Sequence, residues 1–456
     1  MFKKHSEIDF TSGPFLKNIL WFSFPIMVTG ILQILFNTTD SAIVGKYVDD
    51  NGLAAVSSTA IVYNMFINFF MGVSIGSNVL IAQYFGSRRA KDIEETISTS
   101  LLISAILGVF TTGVGMIFAG RFLTLMNVPP EVFDQATLYL RIIFIGAPVQ
   151  LIYNFSAAIM RATGDTSRPM WFLMAAVVAN VLLDFLFVGA FRMGVYGAAL
   201  ATVISRGAAA VLAVIALIRG KGIVRLRFSG DRKFFSLQKA KKLFAIGVPA
   251  GFQSLLFSIG NLIIQATMNT FGNVALAGLG AGYQIECIIY AVVESFNYAG
   301  LNISAQNAGA GKRDRIRKGV FINCTMSFLI GGILGSGVYL FGNSLLKLFT
   351  DSPAAIEYGM KRTFYMCLPY ALVGVMESMA GSVRGLGASI TPTIITLTAA
   401  CILRVVWTKL IFPMDPTLDN LLVVYPISQA LTSAAQIVAF IIFYHRTKKR
   451  PMVITD

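Results

Sequence analysis

The chain is poor in the residues that most catalytic sites and metal centres use. Among its 456 residues there are 2 histidines, at the chain ends, and 4 cysteines, whose spacings suit neither a metal site nor a disulfide framework. The sequence also lacks the glycine-rich Gly-Lys-Ser/Thr loop that binds ATP phosphates. We expect the cysteines to be small packing residues within helices. They are Cys287, Cys324, Cys367 and Cys401.

Charged residues are scarce as well, at 13%, whereas hydrophobic residues make up 55% and the mean hydropathy is +0.71. A soluble globule of this length is excluded by that balance, so we predict an all-α membrane protein. About twelve windows reach the ~20 apolar residues that a helix needs to cross a bilayer. The predicted spans are 15 to 45, 53 to 82, 94 to 118, 135 to 160, 169 to 190, 195 to 218, 243 to 271, 277 to 305, 319 to 341, 358 to 383, 392 to 412 and 421 to 444.

The net charge of +15 is concentrated in short loops at alternating ends of these spans. This is the positive-inside pattern rather than a nucleic-acid surface, and it predicts a plasma-membrane protein with both termini in the cytoplasm and no nucleic-acid partner. The first apolar run continues into a full span, so we expect no cleavable signal. The cytoplasmic groups are Arg88, Arg89, Lys91, Arg161, Arg168, Lys312, Arg313, Arg315, Arg317, Lys318, Arg446, Lys448, Lys449 and Arg450.

The second half of the chain repeats the first with an offset of 223 residues. A register kept from the first helix to the last indicates duplication, and repeats of this size commonly build transporters. We predict two pseudo-symmetric six-helix lobes, 1–218 and 243–456, joined by a basic cytoplasmic linker at 219–242. The repeated pairs are Gln83 and Gln306, Gly86 and Gly309, Arg161 and Arg384, Gly164 and Gly387, and Pro169 and Pro392.

Two interpretations of the linker stay open. Lys239, Lys241 and Lys242 precede an apolar run, and each surface cation adds about 1 kcal/mol to binding of anionic lipid. The segment is then an amphipathic helix lying on membrane lipid. The alternative, which we favour, is a hinge that only sets topology.

Polar residues inside the predicted helices need a partner or a function, because a carboxylate at mid-helix costs about 2.5 to 3.5 kcal/mol. Asp40 lies in the first helix, and Asp184 lies in the fifth, four residues after Asn180 and so on the same face. Asn154 in the fourth helix and Thr202 in the sixth add an amide and a hydroxyl to the same interior if the helices bundle.

These groups are hard oxygen donors, which suit Na⁺ at Asp40, Asn180 and Asp184, or a proton shared between the two carboxylates. A hydrogen-bonded cluster that only holds helices together is the alternative, and the residues alone do not decide. The second half lacks the pair, since the positions 223 residues after Asn180 and Asp184 hold Leu403 and Trp407.

The second half has other charged residues within its helices. Glu286 and Glu294 are eight residues apart in the eighth helix and so share a face, which could bind cations. Glu377 in the tenth helix and Arg404 in the eleventh could instead form an interior ion pair with a structural role, and we favour that pairing.

Five segments stand in a characteristic order: Pro25, the run Asp-Ser-Ala-Ile-Val-Gly at 40–45, Gln-Tyr-Phe-Gly at 83–86, Arg-Ala-Thr-Gly-Asp at 161–165 and Arg-Gly-Leu-Gly at 384–387. Together they resemble the multidrug and toxic compound extrusion (MATE) transporters over essentially the whole chain. The resemblance implies a V-shaped pair of six-helix lobes that exports bulky organic cations and other amphipathic compounds, driven by an inward ion gradient.

In prokaryotic DinF-like members of that family, one cluster in the N-terminal lobe is implicated in H⁺ or Na⁺ coupling. This sequence matches that cluster at Asp40, Asn154, Asn180, Asp184 and Thr202. The resemblance therefore favours a functional role for these residues over a structural one.

The resemblance has two further implications. NorM-like members place a cation site in the C-terminal lobe with a Glu on the seventh helix and an Asp on the tenth. This chain has Gln253 near the first place and no aligned carboxylate at the second, so a NorM-like site is not implied. Bending of the first helix at its proline has been proposed in the family, which makes Pro25 a predicted hinge.

We therefore predict a secondary antiporter that exports organic cations, drugs or amphipathic metabolites in exchange for H⁺ or Na⁺ by alternating access, as a monomer and without a cofactor. Rings and thioethers could bind cationic substrates by stacking and cation–π contact. The candidate cavity residues are Phe36, Tyr63, Met65, Phe69, Tyr139, Met160, Glu286 and Glu377.

Two other functions remain. A lipid or oligosaccharide flippase of the same superfamily would use cavity-facing cations, for which Arg141, Arg206 and Arg404 are candidates. A membrane-embedded enzyme is a remote alternative, because no nucleophile and base pair is evident and the histidines are His5 and His445.

Overall fold

The computed structural model describes residues 8–48, 50–220 and 234–446, and in these ranges the regular structure is helical throughout. Ten helices are long and apolar enough to cross a membrane, and two bent helix pairs complete twelve spans. The predicted all-α membrane fold is confirmed.

The first half contains α1 (Phe15–Tyr47), α2 (Asp50–Gly86), α3 (Ala90–Leu125), α4 (Pro130–Ile145 with Ala147–Ala162), α5 (Ser167–Ala190) and α6 (Gly194–Ile218). The second half contains α7 (Leu237–Phe271), α8 (Asn273–Gly309), α9 (Arg313–Leu340), α10 (Pro353–Cys367 with Tyr370–Gly385), α11 (Ile390–Met414) and α12 (Leu418–Arg446).

The fourth and tenth spans differ from the prediction, which made each of them continuous. The two parts of α4 meet at an angle of 45°, and the two parts of α10 meet at 42°. Proline explains both breaks, because it has no N–H to donate and its ring clashes with the carbonyl four residues earlier. Pro148 follows the break in α4, and Pro369 lies at the break in α10. In contrast, α1 and α7 continue as helix through Pro25 and Pro249.

The repeat seen in the sequence is also present in the backbone. The first residues of α2 and α8 are 223 positions apart, and so are their last residues. After the fourth and tenth spans, Gly164 and Gly387 have φ angles of +86° and +88°. Only glycine adopts this conformation without steric cost, so the conservation of glycine between the halves preserves the same turn twice.

The chain divides into two compact units, and each division point lies inside a long helix. Within the described residues, one unit comprises 31–251 and the other comprises 8–30 and 252–446. The predicted lobes, 1–218 and 243–456, placed these boundaries in the linker. The structure differs because the first part of α1 belongs to the second unit and the first part of α7 belongs to the first unit.

Close helix packing accounts for the position of the first part of α7 within the 31–251 unit. A Cβ atom added to Gly72 of α2 would lie 2.4 Å from the backbone of Gly251, and one added to Gly247 would lie 2.3 Å from the carbonyl oxygen of Val73. Backbones approach this closely only where side chains are absent, which is how helices commonly associate in membranes.

Apolar packing accounts for the first part of α1 in the other unit. Phe15, Ile19 and Phe22 are buried in one cluster with Phe296 of α8 and Val320 of α9. The buried apolar side chains of this segment therefore pack with helices of the second half.

The end of the predicted linker is helical, since α7 begins at Leu237. Residues 221–233 lie outside the described part of the chain. Lys239 is buried, with its Nζ 2.8 Å from the Tyr84 hydroxyl and in an ion pair with Asp92. The surface-helix interpretation is therefore wrong for Lys239, because its charge is satisfied by α2 and α3 and is not available to lipid. Lys241 is exposed.

Candidate functional site

Three helices of the first unit bring four of the five predicted coupling residues together. Thr202 of α6 donates a hydrogen bond of 3.2 Å to Oδ2 of Asp40 on α1. Asn180 and Asp184 of α5 lie beside the same carboxyl group. Asn180 and Asp184 are fully buried, and Asp40 is 7% exposed. The spacing of four residues in α5 therefore places amide and carboxylate on one face, as predicted.

Many polar atoms of this cluster have no hydrogen-bond partner among the described residues. They are Oδ1 of Asp40, both carboxylate oxygens of Asp184 and both amide atoms of Asn180. A buried polar group without a partner costs about 1 to 3 kcal/mol, and more when it is charged. The helices hold these oxygens close together at that cost.

The donor chemistry limits what the cluster can hold. Its donors are two carboxylates, an amide and a hydroxyl, and in the described part of the chain no group of three or more His, Cys, Asp and Glu residues could hold a metal ion. Hard oxygen donors suit an alkali cation or a proton and do not suit zinc or copper. A π-helical turn, Phe185–Ala190, begins directly after Asp184, and such turns are frequent at functional sites.

Asn154, the fifth predicted residue, hydrogen-bonds to a neighbour that sequence reasoning missed. Its Oδ1 accepts a bond of 3.1 Å from Gln150, one turn earlier in α4. Gln150 in turn accepts a bond of 3.0 Å from Nη1 of Arg206 on α6. The spacing of four residues between Gln150 and Asn154, which places both on one face of α4, was the signal in the sequence that could have found Gln150. Asn154 is 4% exposed, and its Nδ2 has no partner in the described residues.

Three of the candidate cavity residues border the cluster. The hydroxyl of Tyr139 lies 3.5 Å from Oδ2 of Asp40. The Arg206 guanidinium lies 4.9 Å from the ring centre of Phe36 and 5.9 Å from that of Tyr63. Because the protein supplies its own cation to both rings, an organic cation would have to share these two faces with Arg206.

The other candidate residues of the first half lie elsewhere on their helices. Met65 and Phe69 are half-buried on α2, and the Phe69 ring packs edge-on against Phe70 at 5.2 Å. Met160 is buried near the end of α4. A role of Met65, Phe69 and Met160 in a substrate cavity stays a prediction.

The charged residues of the second half pair differently from the prediction. Glu286 of α8 forms an ion pair of 2.7 Å with Arg362 of α10, and both side chains are largely buried. The preferred pairing of Glu377 with Arg404 is wrong. Glu377 accepts hydrogen bonds from Asn297 at 2.6 Å and from Tyr290 at 3.5 Å.

Arg404 is bound within a different set of helices. It donates to Ser428 and to Asn261, at 3.1 Å each, and its guanidinium lies 4.4 Å from the ring centre of Tyr425. A π-helical turn, Leu397–Ile402, ends two residues before Arg404 and shifts the register of α11. Regular helical spacing therefore does not place this side chain.

The ion pair occupies the positions that correspond to two aromatic residues of the first half. Glu286 and Arg362 follow Tyr63 and Tyr139 by 223 residues each. In the first half these positions hold two phenols, Tyr139 beside Asp40 and Tyr63 beside Arg206. In the second half they hold a carboxylate and a guanidinium that neutralise each other. Gln253 is hydrogen-bonded to residues other than a carboxylate. Its Oε1 accepts a bond of 2.6 Å from Arg384, and its Nε2 donates a bond of 3.1 Å to Thr396.

Comparisons with known proteins point in one direction. The MatE family model matches residues 25–186 and 249–409, one segment in each half. The chain is 29% identical over 404 residues to the "Probable multidrug resistance protein YpnP" of Bacillus subtilis (strain 168), covering 88% of this chain and 89% of that protein. It is 24% identical over 444 residues to the multidrug export protein MepA of Staphylococcus aureus, covering 93% and 96%.

Solved structures share the fold. An outward-facing multidrug resistance transporter of the MATE family superposes with a TM-score of 0.87 at 21% identity, covering 98% of this chain and 99% of that one. A transporter of the MOP superfamily from Pyrococcus furiosus superposes with a TM-score of 0.88 at 22% identity, covering 98% and 100%.

Proposed function

Because the chain belongs to the MatE family of membrane transporters, we propose that it is a secondary antiporter that exports organic cations, drugs or amphipathic metabolites in exchange for H⁺ or Na⁺. Family membership makes the protein a multi-pass membrane transporter and not an enzyme. The observation that supports ion coupling is the buried cluster of Asp40 and Asp184, whose carboxylate oxygens are only partly hydrogen-bonded.

The proposed mechanism is alternating access biased by charge. A proton or Na⁺ that binds at Asp40 and Asp184 reduces the negative charge that α1 and α5 place in the membrane interior. A ligand changes a conformational equilibrium only by its differential affinity for the two states. Ion binding that favours one state and substrate binding that favours the other would couple the two fluxes, with Asn154, Asn180 and Thr202 completing the ion site.

The names of the relatives support the substrate class. One relative is named for multidrug resistance and another for multidrug export. Phe36, Tyr63 and Tyr139, which border the ion cluster, are the best-placed of the candidate substrate residues. We further propose a monomer in the plasma membrane with both termini in the cytoplasm, since basic residues flank those ends of the spans.

One observation favours the alternative function of a lipid or oligosaccharide flippase. Arg206 places a cation beside the rings of Phe36 and Tyr63, where it could meet a phosphate. The other two arginines give less support, because Arg404 is bound to Ser428 and Asn261 and Arg141 is exposed.

The test is transport of ethidium, a fluorescent organic cation, in proteoliposomes with a pH gradient or a Na⁺ gradient imposed separately. We expect wild type to respond to one of the gradients and the variants Asp40→Asn and Asp184→Asn to fall to the level of empty liposomes, because each removes a charge that binds the ion. Asp134→Asn is the matched control, since Asp134 lies exposed on α4.

Undiminished transport in both site variants would make the cluster a structural one. Absence of cation transport by wild type under either gradient would favour the flippase. The gradient that drives wild type identifies the coupling ion.

A further inference from the structure

Arg206 is a cation in the middle of a membrane helix, and it forms no ion pair with any described residue. It lies one turn after Thr202, halfway along α6. Its guanidinium donates to Gln150 at 3.0 Å and lies over the rings of Phe36 and Tyr63. No carboxylate in the described ranges lies within ion-pair distance of it. A charge in this position is costly and is usually functional.

Arg206 lies close to the cluster of Asp40, Asn180, Asp184 and Thr202 without bonding to it. Thr202, one turn before Arg206 in α6, hydrogen-bonds to Asp40 at 3.2 Å. Phe36, one turn before Asp40 in α1, lies under the Arg206 guanidinium, with its ring centre 4.9 Å away. In a low-dielectric interior an interaction between charges remains strong over several ångströms. The positive charge of Arg206 therefore counts toward the net charge of the site. Arg206 forms no hydrogen bond with the carboxylate oxygens of Asp40 and Asp184 in the described structure.

The titratable groups of the site can be counted helix by helix. Asp40 of α1 and Asp184 of α5 contribute two negative charges when ionised, and Arg206 of α6 contributes one positive charge. Tyr63 of α2 and Tyr139 of α4 are neutral phenols at neutral pH. The site without a bound ion thus carries a net charge of minus one.

We propose that Arg206 sets the coupling stoichiometry at one, so that the site takes up a single H⁺ or Na⁺ in each cycle. This rests on the proposed function. One monovalent cation brings the net charge to zero, and a second would leave a positive charge in the membrane interior. Without Arg206, the two carboxylates would need two monovalent cations for the same neutrality.

The second half of the chain shows the limiting case of the same principle. At the positions equivalent to Tyr63 and Tyr139, Glu286 and Arg362 form a direct ion pair of 2.7 Å. Their charges cancel and their atoms face each other, so that pair retains no charge for a mobile ion. In the first half the protein supplies one positive charge, on Arg206, for two carboxylates. One negative charge is therefore left for a mobile cation.

The first experiment measures whether exchange moves net charge. Exchange of one ethidium cation for one H⁺ or Na⁺ is electroneutral, so a K⁺ diffusion potential set with valinomycin should not change the equilibrium ethidium gradient of wild type. In Arg206→Gln, two ions would enter per ethidium. A tenfold K⁺ gradient should then change the equilibrium ethidium gradient about tenfold, because one net charge crosses the membrane.

Two variants serve as controls. Arg206→Lys keeps the positive charge and should remain electroneutral. Arg141→Gln removes an exposed arginine of α4 and should also remain electroneutral. Electrogenic exchange by wild type, or electroneutral exchange by an active Arg206→Gln variant, would overturn the proposal.

A second measurement does not require transport. Bound ²²Na⁺ and proton uptake are counted on purified protein in weakly buffered detergent, relative to the Asp40→Asn/Asp184→Asn double variant, which lacks both acids. We expect one ion for wild type, two for Arg206→Gln and one for Arg206→Gln/Asp184→Asn. A wild-type count of zero or two, or an unchanged count in Arg206→Gln, contradicts the proposal. If wild type binds one ion but transports no ethidium, the proposed substrate class fails and the charge proposal stands.

Discussion

Arg362 and Glu286 show what a single buried charge contributes to stability. Their side chains are 5% and 14% exposed, so Arg362→Met leaves a carboxylate in the interior without its partner. Breaking a buried pair in this way costs about 3 to 5 kcal/mol. We expect a clear fall in the melting temperature of the detergent-solubilised protein, followed by intrinsic tryptophan fluorescence.

The neighbouring residue provides the control for this prediction. Lys361 pairs with Asp419 at the same distance of 2.7 Å, but the two side chains are 37% and 45% exposed. Lys361→Met should change stability by only about 0 to 1 kcal/mol, since solvent screens exposed pairs. The double variant Glu286→Met/Arg362→Met should recover most of the loss. Equal melting temperatures for the Arg362 and Lys361 variants would show that the buried pair does not stabilise the fold.

Most of the candidate ion site was predictable at the level of single residues. Asp40, Asn180 and Asp184 stand out because carboxylates and amides are rare within apolar helices, and a spacing of four residues places the last two on one face. Gln150 and Arg206 were missed as parts of the site, because a residue's partner on another helix depends on how those helices pack.

Glycine positions control how closely whole helices approach. A Cβ atom at Gly76 of α2 would lie 2.2 Å from the carbonyl oxygen of Leu243 in α7, whereas one at Gly113 of α3 would meet nothing within 4 Å. Gly76→Ala forces the two helices apart and should cost about 1 to 3 kcal/mol, as overpacking does. Gly113→Ala should leave the melting temperature unchanged or raise it slightly. A similar result for the two variants would rule out close α2–α7 packing.

The proline of α1 tests the hinge hypothesis. Pro25 lies within a continuous helix, and its carbonyl accepts a hydrogen bond of 2.7 Å from Thr29. Pro25→Ala restores the missing backbone donor and stiffens the helix. If bending accompanies transport, ethidium efflux should slow while ²²Na⁺ binding or proton uptake stays at the wild-type level.

The corresponding proline in the second half distinguishes a specific hinge from a general effect. Pro249 lies at the equivalent place in α7, so Pro249→Ala makes the same chemical change in the repeat. Equal slowing by both substitutions would argue against a special function of Pro25. Unchanged efflux in Pro25→Ala would exclude the hinge.

At the scale of the whole molecule, the two units do not coincide with the two halves of the sequence. The unit that contains residues 31–251 includes the first part of α7, where Lys239 pairs with Asp92 and Gly247 lies against Val73. We therefore predict that a fragment of residues 1–220 is unstable when expressed alone, because it lacks these contacts.

Co-expression checks this prediction. Fragments 1–220 and 221–456, each fused to a fluorescent protein, should co-elute as one monodisperse species in size-exclusion chromatography, whereas 1–220 alone should aggregate. A monodisperse 1–220 fragment with the melting temperature of the full chain would show that the first part of α7 does not contribute to the stability of that unit.

The number of spans, their approximate limits and the duplication followed from the sequence by itself. These properties are local or periodic, because a helix that crosses a bilayer needs about 20 apolar residues wherever it lies and a repeat keeps its offset along the chain. The exceptions were the breaks in α4 and α10, where prolines that read as ordinary residues of an apolar run interrupt the helix.

Only the tertiary structure decided which charges meet and where the units divide. Glu286 pairs with Arg362, 76 residues away, and not with a charge at helical spacing, and Arg404 turns to Ser428 after a π-helical shift in register. Arg206 of α6 lies over Phe36 of α1 and donates to Gln150 of α4. Such contacts depend on how several helices pack against each other. Charge, hydropathy and residue spacing along one helix carry no information about that packing.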